Sequence, residues 1–76
     1  MDITKKILRL LKEGNTQQQI SDIFKYQGIK PNSLSTIEKY LKQIREDYKA
    51  KSLFHLAYIL IEEQYNFEDD EENTEF

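Results

Sequence analysis

Cysteine is absent from this chain of 76 residues, and so are long apolar runs, strand-like alternation and glycine-rich loops. Without a thiol there is no disulfide to staple the fold, no thiolate ligand for a metal and no cysteine nucleophile. The longest apolar run, Leu56 to Ile61, is six residues, far short of the roughly 20 that cross a bilayer. The first residues lack the apolar segment of a signal peptide. A soluble, cytoplasmic protein with no membrane partner is therefore expected. His55 is the only histidine, so no metal shell can be completed around it. The hydroxyls of Ser33, Ser35 and Thr36 have no nearby candidate base, and no phosphate-cradling loop is present. Catalysis, cofactors and small-molecule ligands are not expected.

A chain of this length allows one domain with one modest core. Its formal net charge of −3 averages two unlike regions. Residues 1–65 carry all eleven Lys and Arg against eight acids, a balance of +3, and residues 66–76 carry six acids and no base, a balance of −6. The reading is a mildly basic domain over 1–65 followed by an acidic tail, 66–76, expected to be disordered.

What is present reads as helix throughout. Ile3, Ile7, Leu10 and Leu11 follow one helix face up to about Glu13, and Gly14 supplies a left-handed stop. Thr16 stands three residues before Gln19, the spacing of a capping box, and opens a second helix with Ile20, Ile23 and Phe24 on its buried side. The stretch YQGIKPN breaks the pattern. A third helix, about 33–49, carries the narrow apolar seam Leu34, Ile37, Leu41, Ile44 and Tyr48. Its start is open: Ser33 follows Pro31-Asn32 directly, while Ser35 and Glu38 form a further capping box, the role expected of Glu38. The fourth helix, near Ser52 to Tyr65, is apolar on two sides. Leu53, Leu56, Ala57 and Leu60 form one row, and Phe54, Tyr58, Ile61 and Tyr65 form another that requires a partner.

Four short helices with a sharp break between the second and third describe an all-α, compact four-helix helix-turn-helix domain. Within that frame, ILRLLKEGNTQQQIS and SLSTIEKYLKQI resemble the two halves of the LuxR-type, or GerE-like, DNA-binding domain. Gly14, Thr16, Gln19 and Ile20 stand at its first set of marker positions, and Ser33, Thr36, Ile37, Leu41 and Ile44 at its second. The resemblance covers roughly residues 3 to 62. The interval from Phe24 to Ser33 is longer than the family's usual turn, Glu38 stands where many members carry lysine, and Tyr40 replaces a frequent histidine.

The resemblance implies a transcriptional regulator that binds double-stranded DNA as a homodimer. Its third helix would read the major groove and its fourth would pair the subunits through Phe54, Tyr58, Ile61 and Tyr65. The groove-facing positions carry over to Glu38, Lys39, Lys42 and Gln43, where lysine suits guanine and glutamine suits adenine. Arg45 and Lys49 would meet phosphates, as would the helix starts at Thr16, Ser33 and Ser35. With 76 residues leaving no room for a sensing domain, control is expected to come through concentration, the tail or a partner. The alternative is a helix-turn-helix-shaped interaction factor that binds protein and does not read DNA, a reading that Glu38, the long turn and the acidic end favour.

Overall fold

A short polar side chain starts each helix, and a left-handed residue ends each one. The computed structural model describes residues 2–68. These form α1 (Ile3–Lys12), α2 (Gln17–Gln27), α3 (Leu34–Asp47) and α4 (Leu53–Glu62). Asp2, Thr16, Ser33 and Ser52 cap their N-termini, each side-chain oxygen accepting from the backbone N–H three residues on. Thr16 and Gln19 close the full capping box, at 3.1 Å and 2.8 Å. At α4 the backbone N–H of Lys51 donates to His55 Nδ1 at 3.0 Å, so the lone histidine belongs to a helix start.

The four helix ends repeat one hydrogen-bond pattern. The amides of Gly14, Gly28, Lys49 and Gln64 donate to the carbonyls of Leu11, Lys25, Glu46 and Ile61. The next amides, of Asn15, Ile29, Ala50 and Tyr65, reach back one residue further to Leu10, Phe24, Arg45 and Leu60. This is the Schellman motif, which satisfies carbonyls that the helix end would otherwise orphan. It requires positive φ at its pivot, and the values are 100°, 71°, 56° and 57° in chain order. Ile29, Ala50 and Tyr65 then pack against the core, so each of the last three stops also delivers an apolar residue inward.

That core is built from the inner faces of all four helices. Ile7, Ile20, Phe24, Ile37, Leu41, Leu56 and Leu60 are almost fully buried, each such side chain contributing about 1.5–3 kcal/mol of burial. α2 shares its widest contact with α3, while α1 packs on α2 and α4 on α3. The all-α, four-helix expectation is met, and no strand occurs among the described residues.

Several boundaries differ from the sequence reading. α2 runs to Gln27 rather than ending near Phe24, which leaves residues 28–33 as the connection to α3. Ser33 caps α3 and Ser35 lies in its first turn, so Glu38 completes no cap and stands exposed in the helix interior. α4 ends at Glu62, and Tyr65 lies beyond it, turned by the left-handed Gln64 back toward the core. Phe67 also packs there, its ring edge-to-face with Tyr65 at 5.0 Å and under the Lys12 ammonium at 5.0 Å. The folded body therefore passes the expected limit at residue 65, because two aromatic rings find apolar cover there. The disorder expected of the tail falls mainly on residues 69–76, outside the described residues.

Candidate functional site

Two outward surfaces follow from this packing, one on α3 and one on α4. On α3 the seam of Ile37, Leu41 and Ile44 is buried, so residues off that seam are turned toward solvent by helix geometry alone. Ser35, Glu38, Lys39, Lys42 and Gln43 are all exposed there. Gln43 Nε2 donates to Asp47 Oδ1 at 2.9 Å one turn on, which fixes the orientation of its amide. The helix carries Lys39, Lys42 and Arg45 against Glu38, Glu46 and Asp47, a net charge of zero. Its surface is thus polar and balanced rather than uniformly positive.

Two of the expected cations do not project freely from α3. Arg45 is half-buried, and its Nε is enclosed with no hydrogen-bond partner among the described residues. Lys49 lies past the helix end, at the left-handed pivot of the Schellman turn. It is exposed, but its direction is set by the turn rather than by the helix face. Thr16 stands at the head of α2 rather than on α3, with its Oγ1 accepting from Gln19 N. The densest run of positive charge is instead on α1, where Lys5, Lys6, Arg9 and Lys12 have no acid among them.

The connection between α2 and α3 is anchored by a residue that periodicity alone does not single out. Ser21 is fully buried, and its Oγ donates to the Asn32 carbonyl at 2.6 Å. The Asn32 side chain in turn donates to the Ile29 carbonyl at 3.0 Å. A buried hydroxyl needs such a partner, and the pair pins the turn to α2 immediately before the Ser33 cap. The spacing of Ser21 beside Ile20 and Phe24, on the inner side of α2, is the signal that could have revealed it. The Asp2 cap was also legible, as an acidic residue directly before the first periodic apolar position.

The surface of α4 is of the opposite kind. Phe54 is 85 % exposed, Tyr58 59 % and Ile61 64 %. They lie on one helix face, at i, i+4 and i+7, without Tyr65, which the chain reversal has taken inward. Phe54 and Ile61 also line an apolar groove of about 310 Å³ between α1 and α4, together with Leu8, Leu11, Leu53, Ala57 and Phe67. Burial raises the Tyr65 hydroxyl above the usual tyrosine range, reinforced by the charge of Asp2 and by Tyr48.

Among the described residues no cluster of His, Asp or Glu can hold a metal ion, and no helix is long and apolar enough to cross a membrane. No known protein family, curated protein or solved structure matches this chain.

Proposed function

We propose that this chain is a LuxR-like helix-turn-helix module that binds double-stranded DNA with the outer face of α3 and pairs with a second copy through α4. The observation that carries the reading is the arrangement of the outer face of α3. Ser35, Lys39, Lys42 and Gln43 are exposed together on a helix whose opposite side is locked into the core. Lysine donors suit guanine O6 and N7, and a glutamine amide suits adenine N6 and N7. Glu38, freed from any capping role, is available to accept from cytosine N4. Phosphate affinity falls to Lys49 and to the helix starts at Thr16 and Ser33, because α3 itself is neutral.

Pairing through α4 rests on Phe54, Tyr58 and Ile61. Three large apolar side chains on one solvent-facing helix side form a patch of the kind that marks an interface, and a two-fold contact would bury the same patch twice. A protein-binding reading without DNA rests on this same patch together with the neutral charge of α3.

The purified chain, exposed to random-sequence duplexes at low salt, should enrich a motif of paired half-sites. Failure to enrich any motif, with no duplex binding at 50 mM salt, would sink the DNA reading and leave the protein-binding one. Sedimentation across a concentration series tests the pairing separately. The parent should dimerise and Tyr58→Glu should remain monomeric. A parent that is monomeric both alone and on DNA removes the two-fold contact.

A further inference from the structure

The groove between α1 and α4 is an apolar surface that the folded body leaves open. Every described residue lining it is apolar except Lys12, and Leu8, Leu56 and Leu60 join it to the core. Its volume of about 310 Å³ exceeds the roughly 150 Å³ of an apolar cavity that takes up benzene, so a phenyl ring fits. Phe54, Ala57 and Ile61 line it while remaining exposed to water, so covering it is favourable.

What the groove accepts is already visible at one edge. Phe67 lines it with its ring 5.0 Å from the Lys12 ammonium, and the acid Glu68 follows directly. An aromatic ring with an acid beside it thus meets apolar walls with a cation beside them. Lys5 stands two turns from Lys12 on the same side of α1, with Leu8 between them, and no acid lies within that helix. Glu62 and Glu63, at the end of α4, do not line the groove. The chain holds a second segment of the same composition. Residues 69–76, beyond the described body, carry five acids, and their one apolar residue is Phe76, next to Glu75. Eight extended residues reach about 26 Å, whereas the groove runs beside Leu53 to Ile61, about 12 Å of helix. The segment starts two positions after Phe67, so it is long enough to turn and lay Phe76 into the groove.

We propose that residues 69–76 return to this groove and seat Phe76 in it, with Lys12 and Lys5 facing the acids of the segment. Tethering makes a weak contact sufficient. A short link sets a local concentration of about 1 mM, which half-fills a seat whose Kd for the detached segment is also about 1 mM. The seat shares Phe54 and Ile61 with the two-fold contact proposed above, so the segment and a second copy exclude each other. Resting on that pairing, the segment sets the concentration at which two chains meet.

The test uses the full chain at low concentration, with Thr74→Cys as its only thiol carrying a nitroxide label. Paramagnetic broadening should fall on the methyl groups of Leu53, Ala57 and Ile61. Phe76→Ser removes the apolar contact and should reduce that broadening about threefold or more, whereas Phe76→Leu should keep most of it. Lys12→Glu, or salt raised from about 50 to about 500 mM, should reduce it about twofold, because screening reaches the charges and not the apolar contact. No broadening at these methyls, or broadening that Phe76→Ser leaves unchanged, overturns the seat. Isotope-labelled chain mixed with separately spin-labelled chain should show none. Broadening in that mixture would mean that the segment reaches a second copy, and the seat within one chain would be wrong. Sedimentation then tests the consequence: Phe76→Ser should dimerise several-fold more tightly than the parent. Equal dimerisation of the two would overturn the competition. If both stay monomeric throughout while the label contact is present, the pairing falls and the seat stands.

Discussion

Helices α3 and α4 contribute equally apolar residues to the core, yet their outer surfaces differ completely. Inward, Ile37 and Leu41 of α3 face the same interior as Leu56 and Leu60 of α4. Outward, α3 shows Lys39 and Lys42 beside Glu38, Glu46 and Asp47, while α4 shows Phe54, Tyr58 and Ile61. The core needs only the inner faces, so the outer ones are free to differ. A balanced polar face stays in water or meets an equally wet surface, whereas an apolar face of this size gains by being covered. The comparison therefore separates residues that hold the fold from those that address partners.

The largest expected effect is on the shared inner side. Ile37→Ala and Leu56→Ala should each lower stability by about 2–5 kcal/mol in urea denaturation. Phe54→Ser, on the outer side of the same α4, should shift the monomer by less than about 0.5 kcal/mol. If Phe54→Ser destabilises a dilute, monomeric sample as much as Leu56→Ala does, then the outer face of α4 belongs to the fold and the division fails.

On α3 the comparison sharpens into a binding measurement. Lys39→Ala and Lys42→Ala should cost about 1–3 kcal/mol on the preferred duplex and far less on random sequence at matched salt. Lys49→Ala should weaken all duplexes alike and reduce the salt slope by about one. Equal losses for Lys42→Ala on specific and random DNA would move base reading away from this face.

A smaller effect separates the two halves of the chain. α1 and α2 end on Gly14 and Gly28, whereas α3 and α4 end on Lys49 and Gln64 in the same left-handed conformation. A residue with a Cβ is strained there by about 1–2 kcal/mol. Since glycine loses more freedom on folding, Lys49→Gly and Gln64→Gly should raise the stability measured by urea denaturation by a net of about 0.5–1 kcal/mol each. Gly14→Ala and Gly28→Ala should lower it by about 1 kcal/mol. No atom stands within 4 Å of a Cβ added at either glycine, so backbone strain alone is responsible. Unchanged stability in all four variants would deny that these turns are fixed in solution.

The weakest effect expected lies at the end of α4. The Tyr65 hydroxyl titrates above its unfolded value of 10.0, chiefly through burial. The unfolded chain then loses that proton first, so this contribution is complete below pH 10 and is lost as pH rises through the folded value. Tyr65→Phe should flatten the decline in stability in that alkaline window. An identical decline in the variant would assign it to other tyrosines.

Much of this was legible because helices announce themselves locally. Apolar spacing of three and four marked all four helices, and the Thr16 and Ser52 starts and the Gly14 stop depend on residues only a few positions apart. The seam of α3 also placed Lys39, Lys42 and Gln43 on an outer face before any fold was known. Other features depended on what the chain meets elsewhere. Arg45 looked like a free cation until its Nε was enclosed, and Ser21 looked unremarkable until the turn supplied the Asn32 carbonyl.

The amino-acid sequence by itself determined the number of helices, their order and the division of each into inner and outer residues, because 3.6-residue periodicity and capping act within a few positions. Only the tertiary structure decided which of two serines caps α3, and that Lys49 and Gln64 take conformations usually left to glycine. It alone brought Tyr65 back against the core and Phe67 onto the groove between α1 and α4. Those outcomes depend on apolar cover supplied by residues remote in the chain, and a left-handed stop at a lysine or a glutamine persists because the packing it delivers outweighs its local strain.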